Sequence, residues 1–149
     1  MCRSFDNVLT VETFLHNRSK DRHPWRVADM AQTRDEYIVA LLHDLIEDGL
    51  ATWASLGSPR LGLTLTQFTA IRLLTRVDPQ LESYEAYIER ICQSGDALAM
   101  TVKLYDLWDH LHPMNRAGYT RKRINRYTNA IEQITKSLME IAREEREAA

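Results

Sequence analysis

Cysteine is scarce in this chain, and no long apolar run occurs. Its 149 residues include two cysteines, Cys2 and Cys92. Two thiols so far apart exclude a disulfide framework and a thiolate zinc site. No stretch reaches the roughly 18 consecutive apolar residues of a membrane-spanning helix. The N-terminus carries Asp6 and Glu12 and no long apolar segment, so no signal peptide is expected. Charge of one sign is missing too. A net charge of −2 gives no general affinity for nucleic-acid polymers or acidic membranes. No convincing strand, repeat, low-complexity tract or linker interrupts the chain. The expectation is one cytoplasmic domain spanning residues 1–149, long enough to bury a core.

What is present is helical periodicity, and the expected fold class is all-α. Pro24 is a favourable first helical residue, because its missing N–H would be unpaired there anyway. A helix over 24–32 follows. Thr33 with Glu36 forms a capping-box pattern for the next helix, and Gly49 marks its stop. Thr64 with Gln67 repeats the pattern before a helix to Leu74. An amphipathic helix covers 83–93, with Tyr84, Tyr87, Ile88 and Ile91 on its apolar side. Asp96 caps a helix to Leu111, which Pro113 stops. A long helix runs from Thr120 to about 147, with Ile124, Tyr127, Ile131, Ile134, Leu138 and Ile141 three and four apart. That seam is shorter than a sustained coiled coil. Packing on the chain's own bundle is favoured, with a homodimer as the alternative. Residues 49–63 read as a loop with one short helix.

The segment Ala40–Leu50, Ala-Leu-Leu-His-Asp-Leu-Ile-Glu-Asp-Gly-Leu, carries the chemistry. At about 100° per residue, Glu47, Asp44 and Asp48 fall roughly 40°, 100° and 140° from His43 on a helical wheel. No Lys or Arg occurs between Asp35 and Pro59. Unrelieved like charges destabilise a helix, so this is either a solvated face or a face awaiting a cation.

Two other places can converge with it. His23 precedes Pro24, which pushes it out of the helical region and leaves it just before a helix. A capping or surface role is the plain reading of that residue. Around Asp106, the residues Ala99, Lys103, Asp106 and His110 form one polar stripe on an otherwise apolar helix. A buried carboxylate is costly unless paired or bound to metal, and an Asp106–Lys103 pair is the plain alternative. Together the three places supply His23, His43, Asp44 and Asp106. Two imidazoles and two carboxylates suit Mn²⁺, Fe²⁺, Zn²⁺ or Co²⁺ with a position left for water. Glu47 and Asp48, one turn on, are placed to orient that water or take its proton.

These residues resemble a family. His23, then His43-Asp44, then the distant Asp106 resemble the metal-holding pattern of HD-domain metal-dependent phosphohydrolases. The more specific resemblance is to the hydrolase module of RelA/SpoT-type alarmone enzymes and their small stand-alone relatives, matched in order by His23-Pro24 followed by Val27-Ala28, by Leu41 to Asp48, and by Val102-Lys-Leu-Tyr-Asp-Leu107. Leu74-Thr75-Arg76, Ser83-Tyr84 and Tyr87 to Arg90 look like the small relatives' intervening helices. The likeness covers about residues 20–135.

The resemblance implies an HD-type helical bundle with Mn²⁺ held by His23, His43, Asp44 and Asp106. It implies that Glu47 and Asp48 serve the nucleophilic water. The reaction would remove pyrophosphate from the 3′ position of guanosine tetra- or pentaphosphate, a small-molecule nucleotide. Lys103 and Arg116 would meet phosphate oxygens, and Arg18, Lys20 and Arg22 would face the base or phosphates. Three departures bear on substrate more than on metal. His110 stands where the alarmone enzymes carry Asn, altering ribose contact or adding a fifth ligand. Asn17 to Arg22 replaces an Arg-rich, Gly-containing approach to the first His, and Gly49 replaces a common Thr. Alternatives are a hydrolase of another phosphate ester, such as a nucleoside monophosphate, and an inactive metal- or nucleotide-binding module. The chain is too short for a synthetase domain.

Overall fold

Five successive residues, Ile38 to Leu42, have no solvent exposure, and the helix that carries them is the centre of the molecule. The computed structural model describes residues 3–149, with side chains from Asn7 onward; Cys2 and the Asp6 side chain lie outside the described residues. Among these residues there are helices and no strands. In chain order they are α1 (Arg3–His16), α2 (His23–Ala28), α3 (Arg34–Leu42), α4 (Trp53–Leu56), α5 (Leu65–Leu74), α6 (Tyr84–Gln93), α7 (Ala97–Leu111) and α8 (Arg121–Ala148). Helix α3 packs on α1, α2, α5 and α7, and α7 packs in turn on α2, α5, α6 and α8. No described helix is long and apolar enough to cross a membrane.

Side-chain caps set most helix starts. Thr33, Thr52, Thr64, Ser83, Asp96 and Thr120 each accept a bond from the N–H three residues on. Each such cap contributes about 1 kcal/mol. Thr52–Ser55 and Thr64–Gln67 are full capping boxes. The expected boundaries of α5 to α8 agree with the structure. The long α8 lies on the chain's own core, with Ala130 and Ile134 buried and Leu138 and Ile141 partly so.

Three boundaries differ. Helix α2 begins at His23 itself, so this residue lies inside the first turn rather than before it. It stops at Ala28 instead of reaching 32, because Met30 and Ala31 close tighter turns onto Val27 and Ala28. Gln32 is then drawn to the next helix, its N–H donating to Glu36. The third difference matters most. Helix α3 ends at Leu42, and His43 to Gly49 form turns. Nδ1 of His43 donates back to the Ala40 carbonyl at 2.6 Å, which competes with continuation of the helix. Leu50 and Ala51 both donate to the Leu45 carbonyl, and Gly49 adopts φ +68°. Only glycine takes that backbone conformation freely. The wheel angles drawn through Asp48 therefore do not hold.

The α5–α6 connection is fastened at both ends by one side chain. Arg90 donates to the carbonyls of Leu73 and Thr75 and forms a two-pronged pair with Glu82, at 2.6 and 3.1 Å. The Arg90 guanidinium holds the Glu82 carboxyl below its ordinary range.

Candidate metal centre

The start of α2, the turns that follow α3 and the interior of α7 bring together the residues expected to meet. One donor atom from each of His23, His43, Asp44 and Asp106 lies within 4.8 Å of all the others. Nε2 of His43 is 3.0 Å from Asp44 Oδ2 and 3.6 Å from Asp106 Oδ1. Nε2 of His23 is 2.9 Å from Asp106 Oδ1 and 3.5 Å from Asp44 Oδ2. His23, His43 and Asp106 are buried and Asp44 is partly open.

The tautomers follow from the partners on the far side of each ring. A carbonyl only accepts, so Nδ1 of His43 carries its proton toward Ala40. Nδ1 of His23 lies 2.7 Å from Asp109 Oδ2, again an acceptor. Both rings therefore turn Nε2 inward, the arrangement in which a metal-ligating histidine is oriented by its other nitrogen. Nε2 of His43 is buried and makes no hydrogen bond, although two carboxylate oxygens are near. Such an atom is costly unless something else satisfies it. An inward lone pair between two carboxylates fits a divalent cation, and the donor set suits one.

The electrostatics concentrate on Asp106. Burial alone would raise its carboxyl, but the Lys103 ammonium and the three imidazoles hold it well below the ordinary range. Nζ of Lys103 sits 2.6 Å from Asp106 Oδ2. Burial alone would lower the lysine, and the Asp106 charge keeps it well above its usual value. Burial would likewise lower both imidazoles. Asp106 bonding holds His23 above its ordinary value, and the charge of Asp44 raises His43 further.

The cluster opens into a cavity of about 650 Å³. It is lined by the carboxylates of Asp44, Glu47, Asp48 and Asp106, by Arg76, Lys122, Arg123 and Arg126, and by Tyr84 and Tyr127. The Glu47 carboxylate accepts from the backbone N–H of Arg76. Desolvation in the cavity raises the Glu47 carboxyl; this bond opposes the rise and the Asp44 charge adds to it. Asp48 is raised by desolvation and by Asp44. Lys103 and His110 line the cavity. Arg22 and Arg116 do not. Arg22 is the exposed residue before α2, without a side-chain capping bond, and Arg116 is exposed in the turn before α8. Arg18 is folded over the Phe14 ring, 3.5 Å from its centroid.

Asp109, which no sequence pattern marks, is anchored at both carboxylate oxygens. It holds Nδ1 of His23, receives both prongs of Arg26 at 2.9 Å, and accepts from the Asn115 side-chain amide. Loss of such an outer partner typically lowers metal affinity 10–100-fold. Asp109→Asn is expected to weaken Mn²⁺ binding by about that factor, measured by calorimetric titration. Unchanged affinity would show that His23 needs no such partner.

No protein-family model matches the chain, and no curated protein matches it.

Proposed function

We propose that this protein is a metal-dependent phosphohydrolase of the HD type, acting on a nucleotide that carries a pyrophosphate group. The guanosine tetra- or pentaphosphate 3′-pyrophosphate is the substrate of choice, and Mn²⁺ is the metal to test first. The observation that carries this reading is a two-histidine, two-carboxylate cluster beside a cavity lined by both carboxylates and cations.

His23, His43, Asp44 and Asp106 would hold the cation. When bound, a divalent ion there makes water nucleophilic near neutral pH and polarises a phosphoryl oxygen. Glu47 is the proton acceptor, aimed by the Arg76 N–H from outside the cluster. Arg76, Lys122, Arg123 and Arg126, which also line the cavity, neutralise phosphate oxygens. The Tyr84 and Tyr127 rings, 5.7 Å apart, offer flat apolar surface to a base or ribose.

The deciding assay is pyrophosphate or phosphate release from a nucleotide panel including guanosine tetraphosphate, with Mn²⁺ and with chelator. Mn²⁺-dependent pyrophosphate release from the alarmone supports the full reading. Release only from other nucleotides keeps the chemistry and rejects the substrate. Silence with metal bound rejects hydrolysis of the panel and favours a binding role.

Glu47→Gln is expected to retain stoichiometric metal and lose at least about 100-fold in turnover, the usual scale of one general base. A base acts when deprotonated. Wild-type activity should therefore rise with pH as the Glu47 carboxyl loses its proton, a limb that Glu47→Gln should lack. Full activity in Glu47→Gln would remove the proton-accepting role.

A further inference from the structure

Tyr84 and Tyr87 stand one turn apart on α6, and their hydroxyls differ. The Tyr87 hydroxyl donates to the Leu74 carbonyl. The Tyr84 hydroxyl is enclosed by protein and makes no hydrogen bond, although Tyr84 lines the cavity beside the metal cluster. A buried polar atom left without a partner costs its desolvation penalty. Packing alone would therefore be served better by phenylalanine.

The ring does pack, 5.9 Å from the Tyr87 ring and 5.7 Å from the Tyr127 ring. Its other neighbours are cations that line the same cavity. Lys103 Nζ is 5.9 Å from the ring centre, and the Arg126 guanidinium carbon is 5.6 Å from it. An ammonium has three protons to donate, and Asp106 Oδ2 takes one from Lys103. Arg126 pairs with the exposed Glu85 at 3.2 Å, a surface pair of the kind that contributes little. Arg126 is thus the neighbour freest to move aside and let a ligand reach the enclosed oxygen. Burial pushes the Tyr84 phenol up to about 12, so it keeps a proton to donate at neutral pH. Three donors around one place call for an acceptor with several oxygens and negative charge.

We propose that the Tyr84 hydroxyl is a ligand-binding donor, hydrogen-bonded to a phosphate oxygen that Lys103 and Arg126 also meet. The bond forms only when a phosphorylated ligand is present, which accounts for a hydroxyl that the free protein leaves unpaired. This inference rests on the phosphohydrolase reading of the cavity, and its test separates the two.

The test uses Tyr84→Phe in the full chain, which removes one oxygen and keeps the ring. Calorimetric titration with inorganic pyrophosphate, with Mn²⁺ in both cell and syringe, should show binding weaker by about tenfold or more, the scale of one hydrogen bond to a charged group. Titration with Mn²⁺ alone should match wild type. Urea unfolding without ligand should be unchanged or shifted to higher urea. Pyrophosphate affinity equal to wild type overturns the proposal. Lower stability without ligand also overturns it, since the hydroxyl then serves the fold through a structural water or another partner. Weaker Mn²⁺ binding overturns it as well, because the hydroxyl would then support the metal rather than the phosphate. A wild type that binds Mn²⁺ but no pyrophosphate removes the phosphohydrolase reading and this contact together; a wild type that binds pyrophosphate no better than Tyr84→Phe removes this contact alone.

Discussion

His43→Ala is expected to leave the protein without a bound divalent cation. Nε2 of His43 is the one cluster nitrogen that is both fully enclosed and without a hydrogen bond, so nothing else can take its place. His23 keeps a carboxylate on each nitrogen, and Asp44 is open enough for water to substitute in part. The effect should appear in two ways. Metal analysis after dialysis against Mn²⁺ should fall from one equivalent to none. Thermal or denaturant unfolding should also lose its metal dependence. A ligand at 100 times its Kd stabilises the folded state by about 2.7 kcal/mol, and the variant should gain nothing. One equivalent of tightly held Mn²⁺ in His43→Ala would show that the cluster is not the site.

Lys103→Met is expected to cost about 3–5 kcal/mol of stability in the presence of chelator. The methionine matches the lysine stem, so the loss is electrostatic. Asp106 is 3% exposed and Lys103 9%. Removing one partner of a buried pair leaves the other charge uncompensated. A cation in the cluster supplies positive charge to the same carboxylate from its other oxygen. Saturating Mn²⁺ should therefore recover part of the loss, and the gain on adding metal should be larger in the variant than in wild type. Urea unfolding with and without Mn²⁺ measures both. A cost below about 1 kcal/mol in chelator, the range of an exposed pair, would mean that the imidazoles alone carry the Asp106 charge.

The gathering of His23, His43, Asp44 and Asp106 was legible because each has a local marker. Pro24 follows the first, an apolar run precedes the pair, and an apolar helix surrounds the last. Capping residues marked most helix starts for the same reason: a cap is a contact across three residues. What was illegible depends on distant partners. Asp109 lies outside the polar stripe of α7, and its partners His23 and Arg26 are 86 and 83 residues away. Arg22 is basic and adjacent to His23 in sequence, yet neither it nor Arg116 lines the cavity. The lining cations come instead from α7, the α5–α6 connection and the first turns of α8. The early end of α3 was masked because apolar spacing continues through Ile46, while the Ala40 carbonyl is claimed by a side chain. Helix α1 has a readable signal in Val8, Val11 and Leu15, spaced three and four apart, and the latter two are fully buried.

Arg90 has a consequence for how molecules come and go. The segment it fastens includes Arg76 and Pro79, which border the cavity, yet also carries Val77 and Leu81, each more than 80% exposed. A chain stapled at both ends has little slack to sweep across the opening. On this side the cavity is bordered by a braced segment rather than a free loop. With Arg76, Lys122, Arg123 and Arg126 at the cavity, added salt would slow the arrival of a polyanionic ligand of the proposed kind and speed its departure.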